Sequence, residues 1–200
     1  MKILYHMPSL SSIYAARTIY HGYKNAFIDL GHQFQAFTSD DDLKVTLEDF
    51  RPDLFITASH SYYRKFIDYS LINSFRREGM FVLAKVDFWR SPISKWRINE
   101  AASMEDDFQL RTLMDGDQLA DAYFHVVEQD DARMDGFSSS VGRPWHTIPL
   151  AADKTILSTR WEKKFTADVS YVGTYLADKV QFFNRNVFPL REECDLKIYG

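Results

Sequence analysis

The chain has 200 residues, a net charge of -4, a hydrophobic share of 46% and an aromatic share of 16%, which predicts a packed core rather than disorder. Lysine and arginine are scattered, so no nucleic-acid surface is predicted, and the single cysteine, Cys194, excludes an internal disulfide and a cysteine-rich metal site. No apolar stretch approaches the ~18 residues needed to cross a bilayer, and no signal peptide is recognisable, so we predict a soluble cytoplasmic protein.

Apolar runs alternate with helical periodicities along residues 1–150. Predicted strands cover residues 2–6, 34–37, 54–58, 80–86, 122–127 and 145–149. Predicted helices cover residues 13–30, 40–50, 63–75, 105–113 and 130–137, with a turn at 138–140 and a long loop at 87–103. Strands and helices that alternate with short connections predict an α/β fold with a doubly wound parallel sheet and helices on both faces.

The last fifty residues form a separate pattern. Residues 151–167 are polar and lack a core period, which predicts a linker. A strand from Asp168, a glycine turn, a helix over 176–190 and a strand over 196–199 then predict the opening β-α-β of a second domain at 168–200. Because so small a unit cannot cover both faces of its sheet, we expect the sequence to be a truncated piece of a two-domain protein.

Ligands bind open α/β sheets beyond the carboxyl ends of the strands. The loop after the first strand contains no glycine and so lacks the dinucleotide-binding fingerprint. Its Ser11 and Ser12 fit helix N-cap positions, and a helix N-terminus also binds anions. Both roles therefore stay open for these two serines.

Two further loops carry groups suited to catalysis. His60 follows the third strand, where a histidine can move a proton or simply begin a helix. Asp87, Trp89 and Arg90 follow the fourth strand, and a carboxylate, an aromatic ring and an arginine are typical of a substrate-facing cluster. The alternative is a proline-containing turn that returns Trp89 to the core. We predict that His60, Asp87 and Trp89 face one cleft, and the six dispersed histidines predict no metal site.

The turn after the strand at 169–172 is a second candidate site. Gly173 and Thr174 allow backbone amides to approach a diphosphate, and Lys179 adds a positive charge nearby. The alternative is an ordinary tight turn with a solvated lysine.

Several short motifs, in order and spacing, resemble the CgeB-like glycosyltransferases, which are related to spore maturation proteins. The motifs are IPLAAD at 148–153, DVSYVGT at 168–174 and LKIYG at 196–200. The stretch at 87–92 is similar to the acidic, proline-containing motif of that family.

The resemblance implies a GT-B glycosyltransferase with two Rossmann-like domains across a cleft. Residues 1–150 would receive an unknown acceptor (a glycan, a protein or a small molecule), and the second domain would bind a nucleotide-sugar donor without a further cofactor. Expected roles are catalysis by His60 and Asp87, acceptor binding by Ser11, Ser12, Trp89 and Arg90, and donor binding by Gly173, Thr174 and Lys179.

The chain departs from the family pattern at Lys179, where an arginine is often found. The later donor-binding part would lie beyond Gly200, so the 200-residue chain is expected to be inactive alone. Two alternatives are a non-catalytic sugar- or nucleotide-binding domain and a receiver-like signalling domain. The acids at 40–42 suggest the receiver, but the third strand does not end in the acceptor aspartate that a receiver needs.

Overall fold

A computed structural model describes residues 1–11, 15–90, 104, 107–150, 154–155, 160, 162–173 and 180–199. The chain divides into two compact units, Met1–Ile156 and Leu157–Gly200. The division lies within the segment predicted as a linker. No helix among the described residues combines the length and apolar character that crossing a membrane requires.

The first unit is built on one six-stranded sheet. Its strands are β1 (Lys2–His6), β2 (Gln33–Phe37), β3 (Leu54–Ala58), β4 (Phe81–Lys85), β5 (Ala122–His125) and β6 (Trp145–Thr147). Every pairing is parallel, and the strand order is β2-β1-β3-β4-β5-β6. The predicted α/β class with a Rossmann-like parallel sheet is confirmed. The direction of sheet growth reverses between β1 and β3, which makes that position a topological switch point.

Helices connect the strands, and aspartates begin several of them. The helices are α1 (Ala15–Asp29), α2 (Leu43–Phe50), α3 (Ser61–Arg64), α4 (Tyr69–Arg77), α5 (Phe108–Asp115) and α6 (Phe137–Val141). Asp42, Asp68 and Asp107 cap α2, α4 and α5, because each carboxylate accepts a backbone N–H of the first turn.

Two predicted helices are wrong in detail. The helix predicted over 63–75 is split into α3 and α4, because Asp68 accepts from the backbone of Ser70 and Leu71 and begins a new helix. The helix predicted over 130–137 is only a 3-10 turn at Ala132–Met134, and the predicted turn at 138–140 lies inside α6. Gly136 separates the two with a φ of 84°, a backbone conformation that favours glycine.

Apolar strand residues form cores on both faces of the sheet. Leu4 and Phe55 belong to the larger core, which packs under α2, α4 and α5. Their neighbours Ile3 and Ile56 point the other way, into a smaller core covered by Phe27 of α1. Burial on both faces explains why β1, β3 and β4 read as nearly continuous apolar runs.

The second unit pairs two parallel strands, β7 (Val169–Val172) and β8 (Leu196–Tyr199). Between them lies a helical segment that changes type, from α7 (Val180–Phe182) through a π-helical turn to a 3-10 turn ending at Glu192. Residues 176–179 of the predicted helix lie outside the described residues. Phe183 is buried against Tyr171, with ring centroids 4.8 Å apart.

Candidate functional site at the carboxyl edge of the sheet

A pocket opens at the carboxyl ends of β1, β3, β4 and β5, beside the switch point. Its volume is about 80 Å³, enough for several water molecules or a ligand fragment of similar size. Ile56, Ala58 and Phe124 give it apolar walls, and Lys85, the last residue of β4, is the charged side chain in its described lining. The pocket lies where parallel α/β sheets bind their ligands.

Tyrosines from three elements form the aromatic part of the wall. Tyr5 of β1 and Tyr23 of α1 have ring centroids 5.6 Å apart, and Tyr63 of α3 lines the same pocket. Burial raises the pKa of all three phenols above the ordinary value of 10.0. At neutral pH they therefore remain uncharged hydroxyls that can donate and accept hydrogen bonds.

His6, at the end of β1, is a polar residue of the pocket that the sequence analysis missed. Its Nδ1 lies 3.0 Å from Thr57 Oγ1, and burial lowers its pKa to about 3. The imidazole is therefore neutral. Within the described part of the chain, Nε2 has no hydrogen-bond partner, and the ring stands edge-on to Tyr63 at 5.1 Å.

Asp87 and His60 lie close enough for their charges to interact, although neither belongs to the described lining of the pocket. Asp87 is half-buried, and its backbone N–H donates to Ser59 Oγ at 3.3 Å. Burial raises the pKa of the Asp87 carboxyl, and the positive charges of His60, Lys85 and Arg64 oppose that rise. Asp87 therefore combines a raised proton affinity with neighbours that stabilise its ionised form.

The position of His60 fixes its tautomer. His60 is exposed and is the N-cap of α3, where its Nδ1 accepts from the backbone N–H of Tyr62 at 3.1 Å. In the neutral ring the proton therefore sits on Nε2.

The charges that act on Asp87 include a buried ion pair. Arg64 is buried and pairs with Asp107, while its Nε and Nη1 have no hydrogen-bond partner among the described residues. Asp107 is anchored in turn, because it accepts from the backbone of Leu110 at 3.0 Å. Neither Arg64 nor Lys85 was predicted, since each lies inside an ordinary helix or strand.

The residues predicted to bind the acceptor are not in the described lining of this pocket. Trp89 was predicted to face the cleft, and this is wrong: it is 1% exposed and stands edge-on to Phe137 at 5.6 Å. Arg90 is exposed, and its backbone N–H donates to Arg133 at 2.8 Å. Ser11 is exposed, with its Oγ 3.0 Å from Ser9 Oγ, and Ser12 lies outside the described residues.

On the predicted donor side only Gly173 is described, because Thr174 and Lys179 lie outside the described residues. Gly173 follows β7 and its N–H donates to Tyr199 at 2.9 Å. A Cβ at this position would lie 3.0 Å from the Tyr171 hydroxyl, and the φ of 156° is one that other residues rarely adopt, so a substitution here would be strained.

Two aspartates of the acidic run at 40–42 have a structural role. Asp41 accepts from the backbone and hydroxyl of Thr38, both at 2.7 Å, and Asp42 accepts from Val45 at 3.0 Å. These contacts hold the start of α2 and give the receiver-like alternative no support. In the part of the chain that the structure describes, His, Cys, Asp and Glu form no group of three that could hold a metal.

No family model, curated protein or solved structure matches this chain.

Proposed function

We propose that the first unit is the acceptor-binding half of a glycosyltransferase, in which Asp87 takes the proton from an acceptor hydroxyl. One observation carries the proposal. A half-buried carboxyl with a raised pKa stands beside His60 and interacts with two residues of the carboxyl-edge pocket, Tyr63 and Lys85. Perturbed carboxyls in such a position are typical of catalytic sites.

The chemistry follows from the environment of Asp87. A carboxylate with a raised pKa is a stronger base than an exposed one, and the charges of His60, Lys85 and Arg64 favour its ionised form. It would accept the acceptor's O–H proton as the oxygen attacks the anomeric carbon of the donor. A new C–O bond then forms, and the bond from the sugar to the nucleoside diphosphate breaks.

The donor side of this proposal is the turn after β7. The resemblance assigns Gly173, Thr174 and Lys179 to this side, where they would contact the diphosphate of the donor. The nucleotide-sugar is a substrate here, and its place in the second unit is part of the proposal.

A second candidate function is binding of a sugar or nucleotide without catalysis. The pocket favours it by itself, because a largely apolar cleft with a few polar groups is the usual form of a small-molecule site. The two candidates differ in whether a sugar is transferred.

The test measures transfer from labelled uridine- and guanosine-diphosphate sugars to glycans, peptides and small alcohols, using the intact gene product that carries this sequence. Ala58 lines the pocket, so Ala58→Leu fills part of it and is expected to raise the acceptor KM about tenfold. Ala26→Leu is the matched control, because Ala26 is exposed on α1.

Transfer that Ala58→Leu leaves unchanged would remove the pocket from the acceptor site. Ligand binding without transfer to any acceptor would contradict the transferase and favour the non-catalytic candidate.

A further inference from the structure

We propose that the carboxyl-edge pocket selects a ligand with an anionic group, a phosphate or a carboxylate, which Lys85 binds. The inference rests on the proposed function only in treating that ligand as the acceptor. It adds a substrate class and a specificity-determining residue.

The first observation is the charge of the pocket. Lys85 is the one lysine, arginine, aspartate or glutamate in its described lining. The other polar groups there are uncharged at neutral pH, including His6, whose pKa is lowered to about 3. The lining therefore presents a single positive charge.

The second observation is that the Lys85 ammonium lacks a close partner. It is half-buried, and among the described residues it forms no ion pair or side-chain hydrogen bond. Asp87 lies within range of its charge but not at ion-pair distance. An ammonium carries three donors, and in Lys85 none of them is used by a side chain among the described residues, so they are available to a ligand oxygen.

The third observation is the surroundings of Lys85. Its neighbours across the sheet are Ala58 and Phe124, which both line the pocket. Apolar neighbours reduce the local dielectric and strengthen a charge-assisted hydrogen bond to a ligand oxygen. The hydroxyls of Tyr23 and Tyr63 provide further donors for the remaining oxygens.

The size of the pocket limits what enters it. A volume of about 80 Å³ suits one small group rather than a whole nucleotide-sugar. We therefore assign the pocket to the anionic end of a ligand whose remaining part lies toward Asp87.

The experiment is calorimetric titration of the 200-residue chain with phenyl phosphate, benzoate and the neutral benzyl alcohol, and with inorganic phosphate as a competitor. At least one anionic probe is expected to bind about tenfold or more tightly than benzyl alcohol, since a hydrogen bond to a charged group contributes about 1.5–3 kcal/mol. The phosphate and benzoate titrations distinguish the two anions. If inorganic phosphate displaces phenyl phosphate from the chain, the anionic group contributes most of the binding free energy.

Lys85→Met and Lys85→Gln are expected to remove the preference for the anion and to leave benzyl alcohol binding within about twofold. Lys65→Met is the matched control, because Lys65 is exposed and lies over the Tyr62 ring. Near-ultraviolet circular dichroism confirms that each variant is folded, and the glutamine variant serves if the methionine variant is not.

Equal binding of anionic and neutral probes would overturn the inference, as would anion preference that survives both Lys85 substitutions, or no saturable binding of any probe. The experiments distinguish failure of this inference from failure of the proposed function. Transfer that depends on Asp87 without anion preference removes only the role of Lys85, and anion binding without transfer removes only the transferase.

Discussion

Replacing Asp87 with asparagine is expected to lower kcat for sugar transfer by about 10²- to 10⁴-fold, the usual contribution of a positioned general base. Asparagine keeps the shape of the side chain but cannot accept the proton of the acceptor hydroxyl. The acceptor KM should change little, because the pocket walls remain in place. Initial rates at saturating donor measure both constants.

The stability of this variant separates lost chemistry from lost folding. Because burial raises the pKa of Asp87 above its ordinary 3.8, the folded chain binds that proton more tightly than the unfolded chain does. The free energy of unfolding therefore falls as the pH rises from 3.8 through the raised pKa. Asparagine stays neutral, so Asp87→Asn should be more stable than the wild type at pH 7, with a difference that disappears below pH 3.8. Urea unfolding at both pH values checks this, and a variant less stable at pH 7 would contradict it.

Replacing Asp121 with alanine is expected to lower the free energy of unfolding by about 3 kcal/mol. Asp121 accepts from Arg76 at 3.1 Å (Nε) and 2.6 Å (Nη2), and from the backbone N–H of Val82 at 2.7 Å. The Arg76 side chain is only 10% exposed, so its charge would lose its main partner while staying buried. Urea denaturation at pH 7 measures the loss.

Asp115→Ala is the matched control for that loss. Asp115 is 60% exposed and pairs with Arg111 at 3.5 Å, an i,i+4 contact on the surface of α5. Surface pairs of this kind contribute about 0.3–0.5 kcal/mol. Similar losses of unfolding free energy in the two variants would show that the buried Arg76–Asp121 pair stabilises the fold no more than a surface pair does.

The strands could be predicted closely because their signal is strong. The bounds predicted for β1 and β3 are the observed ones, Lys2–His6 and Leu54–Ala58. Both strands are buried on two faces of a parallel sheet, so nearly every residue is apolar and polar residues or proline mark the ends.

The helix starts were harder to predict because a single hydrogen bond decides them. The apolar period continues from Tyr63 to Phe75, yet the Asp68 carboxylate begins a new helix in the middle. At Asp131 a similar cap begins only a 3-10 turn, and the left-handed backbone of Gly136 separates that turn from α6. Local capping thus overrode the periodic pattern.

The site could be predicted only where position in the chain was informative. Residues just after strands are candidates by rule, which made His60 and Asp87 candidates but could not tell that Trp89 returns to the core. Lys85 was missed because it lies within a strand. A signal was present, since a lysine ends the otherwise apolar run FVLAK.

The central claim is that the fold tunes Asp87 as a base, and an NMR titration of its carboxyl carbon in aspartate-labelled chain tests this most directly. We predict a midpoint above 3.8 because burial is the largest influence on this carboxyl. His60→Ala should move the midpoint higher still, because it removes a charge that favours the ionised form. A midpoint at or below 3.8 that His60→Ala does not change would contradict the account.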